Sequence, residues 1–555
     1  MILPIRARSD TRRRGWTDMM PALSRKTLVV VAAAAATTLF LLAASNRADW
    51  SAYTSPNTDP HAPHPASNGA PGPDGTGPNM TVVRVDIPVQ PTATTGGHAH
   101  DIATATATPS SVPTDAGKPV NPYASSDVCD AFPGVDAGNI LLIMKTGASE
   151  AFARVPTQLM TLLRCLPNFL IFSDMEQDVA GYHIMDSLVN VTASVMEGNS
   201  DFDLYRRQKA CLIDITSCNK VGDPAAEGWQ LDKYKNVHMA EKTYQMKPGF
   251  DWYVFVDADT YVMWPSMVQW LATLNPSHKR YLGSVSMLGD APFAHGGSGY
   301  VVSQGAMKEL VTKNPDVGAM YDRRAHHECC GDFVFSVALK ELAGVEVEQV
   351  YPMINGDKPT TMPFGGFNWC HVISTLHHIN SEEIDTFWKF EHDFYVNQRK
   401  AGVEKPRPLL AKDIFTHFVA PRMRSKMEDW DNLSEDTMYF NVNDTSRTWE
   451  DWQINRMKKH EDYNDQERLA HLSVENCQAA CNSLKADDCF QWKYTDGICY
   501  TRRGISLGHP VKVKDGAKRV ISGWDVEKIA EWISKQGECT KIYWPEVEEK
   551  EKSWW

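Results

Sequence analysis

The chain has 555 residues, enough for two or three domains. Its 69 acidic and 56 basic residues give a net charge of −13, with a pI near 5.8. This balance argues against nucleic acid as a partner, because a protein that binds nucleic acid needs a basic surface.

The first predicted element is an apolar segment at residues 27–45. Its length of about 19 residues, at roughly 1.5 Å rise per residue, is enough to span a bilayer. Seven basic and two acidic residues precede it. This bias predicts a cytosolic tail at residues 1–26, with the rest of the chain across the membrane. The alternative is a cleaved signal peptide ending near Ala43-Ala44-Ser45.

Residues 46–125 are rich in Pro, Thr, Ser, Ala and Gly, and such a segment buries too little apolar surface to fold. It predicts a disordered, extended stem. Four N-glycosylation sequons follow the anchor, which agrees with a lumenal placement. All twelve cysteines also lie beyond the anchor, and an even number in a translocated chain favours disulfide bonds.

An α/β domain is predicted at residues 126–424. Residues 140–144 and 168–172 are apolar runs typical of buried strands. Residues 150–166 between them have helical spacing, and Pro156 fits that helix best in its first turn. Strand, helix and strand in this order indicate a βαβ unit, which binds ligands at the carboxyl ends of its strands.

The next predicted helix spans residues 228–246, and residues 252–256 form a predicted strand. Asp257 and Asp259 follow that strand. In an extended chain, residues two apart face the same side, so both carboxylates are predicted to face one hard cation such as Mg²⁺ or Mn²⁺. A cation at this place suits the diphosphate of a nucleotide-activated substrate.

Several further motifs surround this strand in chain order. They are Leu231-Asp-Lys233-Tyr-Lys235, the glycine-rich His295-Gly296-Gly297-Ser298-Gly299, then Cys330-Gly331-Asp332-Phe333, Asn368-Trp369-Cys370 and Leu376-His377-His378. Together with Asp257-Ala258-Asp259, this order resembles glycosyltransferase family 31, the group of the Fringe and core-1 β1,3-galactosyltransferase enzymes. The resemblance covers roughly residues 138–395 and is closest to divergent fungal members that carry a C-terminal PAN/apple-like tail.

The resemblance implies a GT-A-like, Rossmann-like fold and an inverting hexosyltransferase. The donor would be a UDP-sugar, with galactose or N-acetylglucosamine as the sugar, and the acceptor a glycan or glycoprotein hydroxyl. The family's usual bond is β1,3. It also implies a single-pass type II protein of the Golgi membrane with a lumenal catalytic part, and a homodimer is compatible with it.

Site residues follow from the same resemblance. Asp257, Asp259 and His377 match the metal site, and an imidazole ligand favours Mn²⁺ over Mg²⁺, which stays an alternative. Asp332 matches the catalytic base, which takes the proton of the acceptor hydroxyl. The plainer interpretation makes Asp332 the cap of a helix at residues 333–342, and both roles are compatible.

Donor-binding positions are implied as well. They are Thr146, Asp174, Lys233, Lys235, Asp257, Gly296 and Gly297. Fold analogy alone places Thr146 and Asp174. A solvated helix face explains the two lysines equally well, and a tight turn before a helix at residues 304–312 is the plainer interpretation of the glycines. Two departures from the family pattern stand out. Ala258 replaces the middle Asp of a three-Asp run, and Gly331 replaces the usual Glu before Asp332.

Three alternatives belong to other classes. Residues 254–260 resemble the nucleophile strand of haloacid-dehalogenase phosphatases, although that family places its motif at the start of the domain. Residues 326–330 contain zinc-ligand types, but consecutive residues rarely reach one tetrahedral centre, so disulfides are favoured there. The departures at Ala258 and Gly331 leave a catalytically inactive, lectin-like glycan-binding protein as the alternative function.

Residues 425–470 are predicted to form a connecting segment without a clear strand pattern. A small disulfide-rich module follows at residues 471–545, either a binding module or a structural cap. Its Cys477, Cys481, Cys489 and Cys499 allow three pairings. Their spacing resembles the PAN/apple family, which implies the pairs 477–499 and 481–489.

Overall fold

The computed structural model describes residues 126–485, 487–513 and 518–547. The predicted tail, anchor and stem at residues 1–125 lie outside these ranges. No helix within the described ranges has the length and apolar character that a membrane span requires.

Short strands and helices alternate along the described chain. The strands are β1 Ile140–Lys145, β2 Phe169–Ser173, β3 Gln177–Val179, β4 Tyr182–Asp186, β5 Trp252–Asp257, β6 Tyr261–Val262, β7 Tyr281–Gly283, β8 Val285–Leu288, β9 Ala291–Ala294, β10 Tyr300–Ser303, β11 Val347–Gln349, β12 Thr375–Leu376, β13 Met427–Glu428, β14 Trp430–Asp431, β15 Thr437–Tyr439, β16 Gln491–Thr495, β17 Ile498–Arg502, β18 His509–Pro510 and β19 Ile521–Trp524. The α-helices are α1 Ser126–Cys129, α2 Ala151–Met160, α3 Ala193–Met196, α4 Asp203–Lys209, α5 Ile215–Cys218, α6 Pro224–Asp232, α7 Lys235–Met246, α8 Trp264–Leu271, α9 Gln304–Thr312, α10 Val317–His327, α11 Gly331–Ala338, α12 Ser381–Lys400, α13 Ala411–Ile414, α14 Asp451–Ile454, α15 Asp465–Leu469, α16 Val474–Ser483 and α17 Val526–Gln536.

Among the described residues, an eight-stranded sheet has the order β11-β7-β10-β5-β1-β2-β4-β3. Strands β5, β1, β2 and β4 run parallel, so their carboxyl ends meet at one edge. Strand β10 is antiparallel to β5, which brings the loop before β10 to the same edge. The sheet confirms the predicted α/β class, with antiparallel strands mixed among parallel ones.

Alternate residues of the central strands enter different cores. Leu141 and Ile143 of β1 join one hydrophobic cluster with helices α7 and α11. Leu142 and Met144 join a second cluster with α2 and α8 on the opposite face. Both faces of the sheet are therefore covered, as a largely parallel sheet requires.

Two predicted helices differ from the observed ones. Helix α2 ends at Met160, a short 3₁₀ turn follows at Leu162–Cys165, and Pro156 lies inside α2 rather than in its first turn. The helix predicted at residues 228–246 is two helices, α6 and α7, separated by Lys233 and Tyr234. At that junction Lys233 forms an ion pair with Asp201 and the Tyr234 hydroxyl donates to the same carboxylate, contacts that helical periodicity does not reveal.

A second sheet of five antiparallel strands, in the order β13-β19-β16-β17-β15, follows in the described chain. Its edge strands β13 and β15 come from residues 425–470, which the sequence leaves without a strand pattern. Disulfides join Cys477 to Cys499 and Cys481 to Cys489, the pairs that the resemblance implies. One hydrophobic cluster contains Trp524 of β19 together with Tyr261 of β6 and Leu376 of β12. The disulfide Cys370–Cys539 links the segment before β12 to the segment after α17.

Candidate active site

The candidate site begins in a turn that follows β5. Strand β5 ends at Asp257, and the N–H of Thr260 donates to the Asp257 carbonyl at 2.9 Å. Asp259 therefore lies in a turn and not in an extended strand. The argument that both carboxylates face one side because they are two residues apart in a strand is wrong for this reason.

Ala258 lies between the two aspartates and is buried, with 2 % of its surface exposed. Its methyl group belongs to the apolar cluster that contains Val256 and Val262. Its carbonyl accepts a hydrogen bond from the Gln158 amide at 2.9 Å. The side chain at this position enters the core, so a carboxylate at 258 would be buried here.

Asp259 meets two histidines that lie more than one hundred residues further along the chain. Strand β12 pairs with β6, placing Leu376 opposite Tyr261, and His377 follows directly. The Nε2 of His377 is 3.3 Å from Oδ1 of Asp259, and the Nδ1 of His378 is 4.0 Å from Oδ2. One ligand atom from each of the three residues lies within 4.8 Å of the others. We call this group the Asp–His cluster.

The donor set of the Asp–His cluster fits a divalent cation. One carboxylate with two imidazoles suits a borderline metal such as Mn²⁺ better than Mg²⁺. Burial by itself raises the pKa of Asp259, but the hydrogen bond and charge of His377, with Arg154 and His378, outweigh it and keep the pKa below its ordinary value. The carboxylate is therefore ionised at neutral pH, the form that a metal ligand requires.

Asp257 lies outside the Asp–His cluster and faces a lysine. Nζ of Lys145, the last residue of β1, is 3.3 Å from Asp257 and 2.6 Å from Asp232. Burial lowers the pKa of Lys145, but the charges of Asp232 and Asp257 outweigh burial and raise it. A permanent positive charge thus lies at the carboxyl ends of β1 and β5, where a diphosphate would approach.

The two lysines predicted to bind the donor form ion pairs with different aspartates. Lys235 lies 3.2 Å from Asp174 and also donates to the Thr146 carbonyl at 3.1 Å. Both charged side chains are at least 98 % buried, and the structure brings these three residues together at the ends of β1 and β2. Lys233 instead pairs at 2.8 Å with Asp201, which lies in the 3₁₀ turn Ser200–Phe202 before α4.

Two consecutive glycines separate Asp332 from the Asp–His cluster. A Cβ on Gly296 would lie 3.1 Å from Oδ2 of Asp332, and a Cβ on Gly297 would overlap the imidazole of His377. The hydroxyl of Thr260 donates to the Gly297 carbonyl at 2.7 Å and fixes the loop to the β5 turn. The backbone contacts two predicted site residues directly, and only glycine permits this approach.

Asp332 lies in the first turn of α11, where Cys330 is the capping residue. Its Oδ2 accepts the Gly296 N–H at 2.6 Å, and its Oδ1 accepts the N–H of Phe333 at 2.8 Å. Burial raises the pKa of the Asp332 carboxyl, although the Gly296 N–H and Lys145 oppose the rise. A carboxylate with a raised pKa is a stronger general base.

Gly331 occupies the position where the family usually has Glu, and its surroundings explain the replacement. A Cβ on Gly331 would lie 2.7 Å from both the Asp232 carbonyl and Oδ1 of Asn236. Helix α7 and the junction before it therefore leave no room for a side chain. The adjacent Cys329 and Cys330 form a disulfide with each other, so neither is a free thiol ligand for zinc.

Sequence reasoning does not assign four residues that the structure places at the site. Lys145 directly follows the predicted strand at residues 140–144, so the strand-end rule that selected Asp257 could have found it. Arg154, 3.1 Å from Asp259, carries no local signal because α2 meets the β5 turn only in the fold. His378 lies in the same motif as His377, and no sequence feature separates the two. His295, whose ring lies 5.6 Å from that of His377, belongs to the glycine motif.

A search of curated proteins finds no match to the chain. Residues 139–353 match the family model described as Fringe-like. That range contains the strands β1 to β11, the β5 turn, the glycine-rich loop and Asp332. Residues 139–353 are thus similar to the Fringe-like family, and this similarity supports a glycosyltransferase.

Proposed function

We propose that the protein is an inverting glycosyltransferase that moves a hexose from a UDP donor to a hydroxyl of a glycan or glycoprotein. One observation carries the proposal. Gly296 and Gly297 bring Asp332 and His377 against consecutive residues of one loop, so a general base lies beside a candidate cation site. The Fringe-like match supports the same reaction class.

Asp332 acts as the base in this proposal. As the acceptor hydroxyl attacks the anomeric carbon, its proton passes to a carboxylate oxygen of Asp332. The Gly296 N–H holds that carboxylate in place, and burial makes it a better proton acceptor. Attack from the face opposite to UDP inverts the anomeric centre and yields a β-linkage from an α-linked donor.

The Asp–His cluster would hold a divalent cation, Mn²⁺ by its donor set and Mg²⁺ as the alternative. Such a cation would neutralise the charge that develops on the diphosphate leaving group. Lys145 and Asp257 orient the same region from the ends of β1 and β5. Asp174, Lys235 and Thr146 form the floor beneath a nucleotide at these strand ends.

The finer assignments rest on the resemblance of the motifs. Galactose and N-acetylglucosamine are the proposed sugars, and β1,3 is the proposed bond. We place the protein in the Golgi membrane as a single-pass type II protein, anchored by residues 27–45 and followed by a stem. The C-terminal module of residues 471–545 is proposed to be PAN/apple-like, and a homodimer is the proposed assembly.

Two substitutions in the full-length chain test the proposal. Asp259→Ala should abolish Mn²⁺-dependent UDP binding, measured by calorimetry, because the cation site loses its carboxylate.

Asp332→Asn should keep UDP binding and lower the transfer rate at least 100-fold, because the general base is lost. Full activity in either variant would contradict that residue's role. UDP binding by the wild type without turnover on any acceptor would instead favour the lectin-like alternative.

A further inference from the structure

Three N-glycosylation sequons lie within the described residues, and the fold places them in different surroundings. They are Asn190-Val-Thr192, Asn432-Leu-Ser434 and Asn443-Asp-Thr445, while Asn79 lies outside the described ranges. A sequon sets a hydroxyl two residues after an asparagine, and the glycan is attached to the asparagine Nδ2. Burial and hydrogen bonding at that nitrogen therefore decide whether the folded chain tolerates a glycan.

Asn432 follows β14 directly and is fully buried, with 0 % of its surface exposed. Its Nδ2 donates to the carbonyls of Trp492 and Gly523, at 3.1 and 3.2 Å. These two residues lie opposite one another in β16 and β19, so the amide joins neighbouring strands of the second sheet. Both hydrogens of the amide nitrogen are thus used inside the fold.

The surroundings of Asn432 leave no room for a sugar. Gly523 is closely packed, because a Cβ there would lie 2.2 Å from the Ser425 carbonyl and 2.5 Å from the Trp492 ring. Ser434, which supplies the hydroxyl of this sequon, is also fully buried, and it donates to the Asn432 Oδ1 at 2.8 Å. A glycan on Nδ2 would remove one of the two hydrogen bonds to the strands and force β16 and β19 away from this side chain.

Asn190 lies at the surface, in the loop between β4 and α3. Its side chain is exposed, and the preceding Val189 exposes 58 % of its surface. Thr192 is the capping residue of α3, and its backbone N–H donates to Oδ2 of Asp322 at 2.7 Å. The loop is therefore held through its backbone, while the asparagine side chain lies where a sugar can extend into solvent.

Asn443 lies in a surface turn between β15 and α14. The side chains of Asn443 and Thr445 are both exposed. The N–H of Asn443 donates to Oδ1 of Asn441 at 3.0 Å, and the N–H of Asp444 donates to the Asn441 carbonyl at 3.1 Å. As in the other exposed sequon, an exposed valine precedes the asparagine, here Val442 with 51 % of its surface exposed.

We propose that the folded protein carries N-linked glycans at Asn190 and Asn443 and none at Asn432. The inference rests on the lumenal placement in the proposed function, because N-glycosylation belongs to secreted and lumenal chains. In the transfer, the amide nitrogen bonds to the anomeric carbon of a lipid-diphosphate-linked oligosaccharide. The bond from that carbon to the diphosphate oxygen breaks, the lipid diphosphate leaves, and the amide nitrogen loses one proton.

The fold selects among the modified chains. A chain with a glycan at Asn432 cannot close the second sheet around this side chain and is lost from the folded population. Glycans at Asn190 and Asn443 leave every described hydrogen bond of these two turns in place. Each would also lie beside an exposed valine and shield it from other chains.

The test uses the full-length chain, purified from a eukaryotic secretory host. Peptide N-glycosidase F in heavy-oxygen water converts each glycosylated asparagine into a labelled aspartate, which mass spectrometry detects. The label should appear at Asn190 and Asn443 and be absent at Asn432. Asn432 and Asn443 share the tryptic peptide of residues 427–447, so fragment ions assign the label.

Substitution of the sequon hydroxyls gives matched variants. Thr192→Ala and Thr445→Ala should each remove one glycan, seen as one step in gel mobility. Ser434→Ala is the control and should leave the number of glycans unchanged, because its sequon carries none in the folded chain.

A further pair of variants tests the buried amide without reference to glycans. Asn432→Asp exchanges both donors for acceptors and should lower the melting temperature of the deglycosylated chain. Asn482→Asp changes an exposed asparagine of helix α16 and should leave the melting temperature unchanged. Equal melting temperatures in the two variants would contradict the role given to the Asn432 amide.

A glycan at Asn432 in the purified, folded chain would overturn the inference. So would the absence of glycans from Asn190 and Asn443 in a chain that is glycosylated at Asn79. Absence of a glycan from all four sequons would contradict the lumenal placement itself, and the inference would fall with it.

Discussion

At the scale of single residues, the glycine-rich loop decides where the proposed chemistry takes place. Gly296 contacts Asp332 and Gly297 contacts His377, so consecutive peptide units position both side chains. The sequence identified these glycines by resemblance alone, because a tight turn before α9 explains them equally well. Their role becomes visible only when β10 pairs with β5 and brings the loop to the strand ends.

Gly297→Ala should weaken Mn²⁺-dependent UDP binding at least tenfold. The added methyl group overlaps the His377 ring and would displace it from Asp259. Calorimetric titration of UDP with and without Mn²⁺ measures the effect. Gly366→Ala is the control, because a Cβ at that glycine meets nothing within 4 Å. Equal cation dependence in Gly297→Ala and the wild type would show that the histidine position is not critical.

Ala258→Asp, which restores the family's middle acid, should destabilise this protein by roughly 2–4 kcal/mol, because an unpaired carboxylate would enter an apolar cluster. Thermal unfolding of the purified chain measures the loss. Ala193→Asp places the same side chain on an exposed helix start and should change stability little. A stable, more active Ala258→Asp protein would contradict the buried placement of this side chain.

At the scale of elements, helix α12 presents a buried acid to the strand that follows the β5 turn. The hydroxyl of Tyr261 donates to Oε2 of Glu391 at 2.5 Å, and 1 % of Glu391 is exposed. Burial raises the pKa of Glu391 from 4.5 to about 8, although the Tyr261 hydrogen bond opposes the rise. The folded chain therefore keeps a proton on Glu391 over a pH range in which the unfolded chain has lost it.

The free energy of unfolding should consequently fall as pH rises from 4.5 to about 8, by up to about 1.4 kcal/mol per pH unit. Glu391→Gln keeps a neutral hydrogen-bonding side chain and should remove this dependence. Thermal unfolding at pH 5 and pH 8 tests it. Asp385→Asn, an exposed position on the same helix, should leave the wild-type slope unchanged. An equal slope in Glu391→Gln would refute the assignment.

The limits of prediction are also clearest at the scale of elements. Apolar runs located β1, β2 and β5 to within one residue at each end, because buried parallel strands are continuous and apolar. Helical spacing does not reveal the break at Lys233, whose side chain pairs with Asp201, a residue distant in sequence. The pairing of β6 with β12, which assembles the Asp–His cluster, is long-range and leaves no local pattern.

At the scale of the whole molecule, the Cys370–Cys539 disulfide joins the segment before β12 to the segment after α17, across 169 residues of chain. Removing such a cross-link frees more conformations of the unfolded chain than removing a short one. The double variant Cys370→Ser/Cys539→Ser should lose up to about 5 kcal/mol of unfolding free energy on the loop-entropy relation. Guanidinium-induced unfolding measures this loss.

Cys211→Ser/Cys218→Ser opens a loop of only 7 residues and serves as the comparison. The same relation gives about 2 kcal/mol for it. A larger loss of unfolding free energy in the short-loop variant than in the long-loop variant would show that the segments joined by Cys370–Cys539 do not unfold together. The hydrophobic cluster that contains Trp369 and Trp532, whose rings lie 5.0 Å apart, supports unfolding as one unit.

The position of the two histidines in the chain limits how this protein can be recombined. The Fringe-like match ends at residue 353, before His377 and His378. A chimera that exchanges only the matched segment would carry Asp259 and Asp332 but take both histidines from the recipient. Successful exchange would therefore need a crossover point beyond His378. The residues proposed for the activity extend past the segment that matches the family model.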